Sequence, residues 1–227
     1  MGIYEGLNNI QNYREELERK RTEAKENAIP YLKLGDGESV RVRFLQELDP
    51  NAEGYDKEIG LGILATEHVK PGNFRLNASC TADEGDCVGC EEHAKNRRAG
   101  WSQKSRLYIN VLVERKDGTK EVAVLSQPNG SKSVVSPAVL EHAVEYGTIT
   151  DRWWKLTREG EGMKTSYRFT PLKETDDVDV HDYVGKTFDV HKCVRQVPYE
   201  EQREYYFSSD ETDEPEEKPS ATDDESW

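Results

Sequence analysis

The chain has 227 residues, a formal net charge of −14, 34% hydrophobic residues and 33% charged ones. That length suffices for one sizeable core with small appendages, and the low apolar fraction leaves a good part of the chain outside it. No run of about 18 apolar residues exists, which excludes a membrane-spanning helix. The charged amino terminus, Met1 to Asn27, lacks the apolar centre of a signal peptide, so the protein is expected in the cytoplasm where it is made.

Net acidity argues against a nucleic-acid partner, but the charge is polarised. From Ser208 to Trp227 nine acids and one lysine give −8, whereas from His93 to Ser136 nine Lys or Arg against three acids give +6. Phosphate binding follows local potential, not the sum.

In chain order, Ile3, Leu7, Ile10, Tyr13 and Leu17 recur at helical spacing and predict a helix over 3–27. It is either a solvated helix lying against the domain or an arm that touches a neighbouring copy. Pro30 blocks its continuation. Val40, Val42 and Phe44 alternate with Arg41 and Arg43, which predicts a half-buried strand with a basic outer face. Ile59 to Val69 is a second β-favouring run, and 71–98, polar and rich in Cys and Gly, reads as an inserted loop. Arg106–Arg115 and Thr119–Leu125 flank Asp117-Gly118 as a hairpin. Ser136-Pro137 opens a helix over Ala138–Tyr146 that Gly147 ends, with Pro137 at its first position. Trp153–Arg158 and Thr165–Thr170 form a hairpin around Gly160-Glu161-Gly162, and a last strand is expected over Thr187–Val194.

The pattern predicts a mainly β chain, an OB-fold (a five-stranded, partly open barrel) with a helix between its third and fourth strands. The expected organisation is an arm over 1–29, the OB-fold domain over 30–207 with a zinc subdomain at about 66–100, and an acidic tail over 208–227, disordered by composition.

Cys80, Cys87 and Cys90 have the spacing C-x6-C-x2-C. In a reducing compartment such crowding reads as metal ligation rather than a disulfide framework. Tetrahedral zinc needs a fourth ligand, for which His68 and His93 compete. Three thiolates and one imidazole leave no open position for water, so one structural Zn2+ is expected, and no enzyme. Cys193 lies apart, as a buried thiol or merely unpaired.

From His93 to Val113 no acid occurs, while Lys95, Arg97, Arg98, Lys104 and Arg106 surround Trp101 and Tyr108. Cations that track a backbone, with rings that stack bases, are what sequence-independent single-strand binding requires. Alternation sends Leu107, Ile109, Val111 and Val113 inward and leaves Arg106, Tyr108 and Asn110 on the outer face. Trp153 and Trp154 must point to opposite faces, one into the core and the other towards a base; Trp153 stands among the DNA-binding candidates, with the choice between the two open. Arg168 is an outward cation between Tyr167 and Phe169, and Arg41 and Arg43 complete the expected DNA-binding set. The tail ends its acidic run in Trp227, mimicking the charge and rings of DNA, and is expected to compete for the groove and to recruit partners.

Tyr31-Leu32-Lys33-Leu34-Gly35-Asp36-Gly37-Glu38 running into Val42-Arg43-Phe44-Leu45, the histidine at 68 ahead of three cysteines, the segment Lys104–Val113, and Lys164-Thr165-Ser166-Tyr167 after Gly160-Glu161-Gly162-Met163 together resemble the helix-destabilising single-stranded DNA-binding proteins of bacteriophages, best known from the T-even phages. The resemblance spans roughly residues 30–195. It implies an OB-fold with a zinc subdomain, a role in DNA replication, recombination and repair in the cytoplasm of a bacterial host, and His68 as the fourth ligand. The shorter spacing between the first two cysteines and the unmatched Met1–Asn27 depart from the family, so self-association on DNA through the arm is open. The acidic tail is similar in composition to that of a zinc-free phage counterpart. Two rivals share these features: a zinc-containing RNA-binding or transcription-associated module, and a zinc-stabilised protein-interaction module.

Overall fold

The computed structural model describes residues 7–26, 28–175 and 177–208. Its elements, in order, are α1 (Leu7–Glu26), β1 (Ser39–Phe44), β2 (Ile63–Val69), β3 (Asn77–Ser79), α2 (Val88–Lys95), β4 (Lys104–Glu114), β5 (Lys120–Pro128), α3 (Val135–Tyr146), β6 (Arg152–Glu159), β7 (Ser166–Glu174) and α4 (Tyr199–Phe207). Among the described residues no helix is long and apolar enough to cross a membrane. The chain divides into two compact units. One takes the residues up to Leu64 together with Leu107–Cys193; the other takes Ala65–Arg106 together with the chain from Val194 on.

The first unit is an open antiparallel sheet in the order β5-β4-β1-β6-β7. Val40, Val42 and Phe44 of β1, Leu107, Ile109, Val111 and Val113 of β4, and Trp154 and Leu156 of β6 are buried on one face, against Val135 and Val139 of α3. Trp154 stacks on Phe169 with centroids 4.6 Å apart, and Phe44 meets Trp154 edge-on at 5.9 Å. The turns are local in origin: Gly118 (φ 83°) closes the β4–β5 hairpin and Gly147 (φ 74°) ends α3 in the left-handed conformation. Helix α3 begins at Val135, so Pro137 lies in its first turn but not at its first position, and the Ser136 hydroxyl donates to the carbonyl of Pro128 (3.0 Å).

The opposite face of the sheet is half covered. Leu45, Leu112 and Trp153 pack there against Val178, Val180 and Tyr183, which follow β7. The strand expected over Thr187–Val194 is absent; 3-10 turns stand at Val180–Tyr183 and Val190–Cys193. One side chain ties the stretch between them to β4. Asn110 donates to the Phe188 carbonyl (2.8 Å) and accepts from the Phe188 N–H (3.0 Å), supplying from an amide what a neighbouring strand would supply from its backbone. Cys193 is half-buried in the second of these turns.

Helix α1 forms where the spacing places it, although residues 3–6 and 27 lie outside the described residues. Two residues of its apolar stripe are exposed, Ile10 at 44% and Tyr13 at 37%, and Leu17 is half-buried. The acidic tail falls outside the described residues from 209 on.

In the second unit the region expected to be an irregular loop carries β3 and α2. Strand β3 pairs with β2 in the register His68↔Ala78. Ala78, Val88, Trp101, Val197 and Tyr206 form a small separate core. Two of these, Val197 and Tyr206, come from the final segment that ends in α4, a helix the sequence reading missed.

Candidate metal centre and nucleic-acid interface

His68, Cys80, Cys87 and Cys90 converge. One ligand atom from each lies within 4.8 Å of all the others, so the group can hold one metal ion. His68 stands at the buried end of β2, Cys80 follows β3, Cys87 immediately precedes α2 and Cys90 lies in its first turn. The Cys80 and Cys90 sulfurs are 3.6 Å apart and Cys90 Sγ is 3.3 Å from His68 Nε2. These are close to the edges of a tetrahedron with metal–sulfur bonds of about 2.3 Å. The surroundings fit a cation. The Cys90 thiol is pushed up to about 12 by burial and by the adjacent Cys80 and Cys87, a penalty that a metal ion removes. At Cys87 burial is outweighed by backbone hydrogen bonds from Cys90, Thr81 and Gly89, which favour the thiolate.

Of the two competing histidines the structure places His68 in the cluster. Its Nδ1 lies 2.7 Å from the Trp101 carbonyl, which fixes the proton on Nδ1 and turns Nε2 as a lone pair towards the sulfurs. Burial lowers the pKa of His68, which keeps it neutral as a ligand must be. His93 is half-buried in α2 and outside the group. Gly89 is needed for packing as well as for turning: a Cβ there would stand 2.2 Å from His68 Cγ. Two supporting residues went unseen in the sequence. Gln103 Nε2 lies 3.2 Å from Cys80 Sγ and 3.5 Å from Cys90 Sγ. Gln202 of α4, fully buried, accepts from the Val88 N–H at the start of α2 (2.9 Å) and donates to Thr81 Oγ1 and the Val197 carbonyl (both 3.0 Å). No spacing rule links a glutamine at 202 to a cysteine at 87.

The expected DNA-binding residues fall into both units. In the second, Lys95, Arg97, Arg98 and Lys104 are exposed and Arg106 is half-buried. Trp101 corrects the expectation: it is 6% exposed, edge-on to Tyr206 at 5.0 Å, with its carbonyl committed to His68. Its ring is part of the small core and offers no open face.

In the first unit Arg41 and Arg168 are exposed. Arg41 pairs with Glu114, and Arg168 with Glu159. Four others differ from expectation. Arg43 is 3% exposed, because the segment after β7 lies over it and takes its guanidinium as a donor to the Thr175 and Val178 carbonyls. Tyr108 (5% exposed) and Asn110 (0%) are covered, so the outer face of β4 is not an open stacking surface there. Trp153 does lie on the face opposite Trp154, but it is 1% exposed, roofed by Arg41 (4.7 Å from the ring centroid) and Lys120 (5.5 Å), with its indole N–H donated to Asp177.

Compared with protein-family models, curated proteins and solved structures, the chain matches none.

Proposed function

We propose that this chain binds single-stranded DNA without regard to sequence and protects it during replication, recombination and repair in a phage-infected bacterium. The carrying observation is a row of three basic side chains on the uncovered part of the sheet, two of them, Arg41 and Arg168, in surface ion pairs that a phosphate can replace. Arg41 of β1 stands directly opposite Lys155 of β6, and Arg168 of β7 occupies the next row on the same face. All three are exposed. The strand order β5-β4-β1-β6-β7, with α3 between β5 and β6, suits an OB barrel left open between β5 and β7, a fold that serves single-strand binding. Zinc is the ion that a Cys3His set of this spacing takes, in a structural role, and with all four positions filled by protein the reading is of a binding protein, not an enzyme. The acidic tail competes for the cationic surface and, once displaced, recruits replication and recombination proteins.

The test is a salt series of anisotropy titrations with labelled oligo-dT. Three to five phosphate contacts give a slope of log affinity against log salt of about −2 to −3.5. No binding in dilute buffer overturns the reading. The burial of Trp101 and Tyr108 favours one second reading, a zinc-stabilised protein-interaction module whose basic stretch is a solvated surface. The same titration separates them.

A further inference from the structure

The most exposed aromatic side chain among the described residues is Phe74, at 79%. It sits at the tip of the β2–β3 hairpin, in a turn held from within. The Lys70 N–H donates to the Leu76 carbonyl (2.8 Å), the Asn73 N–H to the Lys70 carbonyl (3.2 Å), the Leu76 N–H to the Asn73 carbonyl (3.1 Å) and the Arg75 N–H to Asn73 Oδ1 (3.1 Å). Gly72, at φ 82°, allows the bend. The stem of this hairpin is the metal unit itself, with His68 paired to Ala78 two residues below Lys70. A ring held out into water on an anchored turn adds nothing to a core, and its ordering cost is met before any ligand arrives.

The surroundings are cationic. The Lys104 ammonium stands 5.9 Å from the centroid of the Phe74 ring. The end of the 96–100 turn lies against the hairpin, where a Cβ on Gly100 would meet Pro71 Cγ at 3.5 Å, and Arg97 and Arg98 belong to that same turn. Arg75, Arg97, Arg98 and Lys104 are exposed, and none is in an ion pair among the described residues. No acid occurs from Val69 to Ser79 or from His93 to Val113.

Resting on the proposed single-strand function, we infer that Phe74 is a base-stacking platform of the metal unit, with Lys104, Arg75, Arg97 and Arg98 carrying the flanking phosphates. An open ring face accepts any base, and unpaired cations at its rim follow a backbone. This assigns to Phe74 the role that the buried Trp101 does not fill. A duplex hides its base faces, so the ligand is an unpaired strand.

The test uses the full chain with zinc bound, an oligo-dT of about 12 nucleotides, and an abasic oligomer of the same length. Phe74→Ala is expected to weaken oligo-dT binding roughly five- to a hundredfold while leaving abasic binding within about twofold, and Phe74→Trp to restore it. Unchanged zinc content confirms that the variants fold, since the side chain is exposed. Equal affinity of Phe74→Ala and the parent for oligo-dT overturns the inference, as does an equal loss on both oligomers, which would make Phe74 a shaper of the turn. If Arg41→Glu weakens binding and Phe74→Ala does not, this inference falls and the proposed function stands. If the parent binds neither oligomer, the proposed function itself falls.

Discussion

Replacing Gln202 by alanine should loosen the metal centre, although its hydrogen bonds go to Val88, Thr81 and Val197 and not to a ligand side chain. Helix α2 begins at Val88 and has no side-chain cap at Cys87, so the Val88 N–H depends on the Gln202 carbonyl oxygen. Truncation leaves that buried donor without a partner and removes the donors to Thr81 Oγ1 and the Val197 carbonyl. An orphaned buried donor costs about 1–3 kcal/mol and the two lost bonds add about 1 more, giving about 2–4 kcal/mol. Metal binding and folding of such a site are one equilibrium. The apparent zinc affinity should therefore fall by roughly 30- to 1,000-fold. A chromogenic chelator competing for the bound metal reads this directly, and hydrogen exchange over Cys87–Lys95 should rise in parallel. Wild-type zinc affinity in Gln202→Ala, with α2 still protected, would refute the idea that α4 braces the knuckle.

Three further outcomes follow from the same structure. Gly89→Ala forces a methyl into the His68 ring, and should cut zinc affinity at least tenfold by chelator competition; unchanged affinity would mean that His68 is not a ligand. Deleting residues 208–227 removes a net charge of −8 and should tighten oligo-dT binding, most at low salt; salt-independent identity with the full chain would refute competition by the tail. His142 is buried against Tyr146 and Trp154, and burial, ahead of the Arg152 charge, holds its pKa below the ordinary value. The unfolded chain then takes up the proton first, so stability is intact above pH about 6.5 and declines as the pH falls below it. The drop in Tm from pH 7.5 to 5 should be smaller in His142→Gln, and an identical drop would remove His142 from the account.

Which parts were legible in the sequence depends on the range of the forces involved. The hairpins at Gly118 and Gly160 and the stop of α3 at Gly147 are set by a few neighbouring residues, and they stand where the sequence puts them. The cysteine knuckle is local in the same way. The choice of His68 over His93 is not: only in the fold does His68, paired with Ala78, come to lie over Gly89, where a Cβ would stand 2.2 Å from its ring. Arg41 and Arg43 are indistinguishable by alternation, yet one is exposed and the other buried, because the segment after β7 crosses only the second. Helix α4 escaped notice because Tyr-Glu-Glu-Gln-Arg-Glu-Tyr-Tyr-Phe has no aliphatic stripe; it is held by hydrogen bonds of Gln202 with Val88 and Thr81 and of Tyr206 with His68, each spanning more than a hundred residues.

The fate of Trp101 shows why a ring in a basic stretch is an ambiguous sign. Its backbone carbonyl orients the His68 imidazole of the candidate metal group, so residue 101 must stay close to the centre, and the ring that comes with it fills the space against Tyr206. A side chain tied to a metal ligand in this way cannot swing out to meet a base without loosening the metal. A stacking residue needs the opposite condition, a rigid backbone with nothing packed on its ring. Among the aromatic residues of the described unit, Phe74 meets that condition best, because its turn closes on its own hydrogen bonds while its side chain stays in water. Rings that fold the unit and rings that bind on it are thus told apart by what their backbones are doing, which residue type and charge context do not reveal.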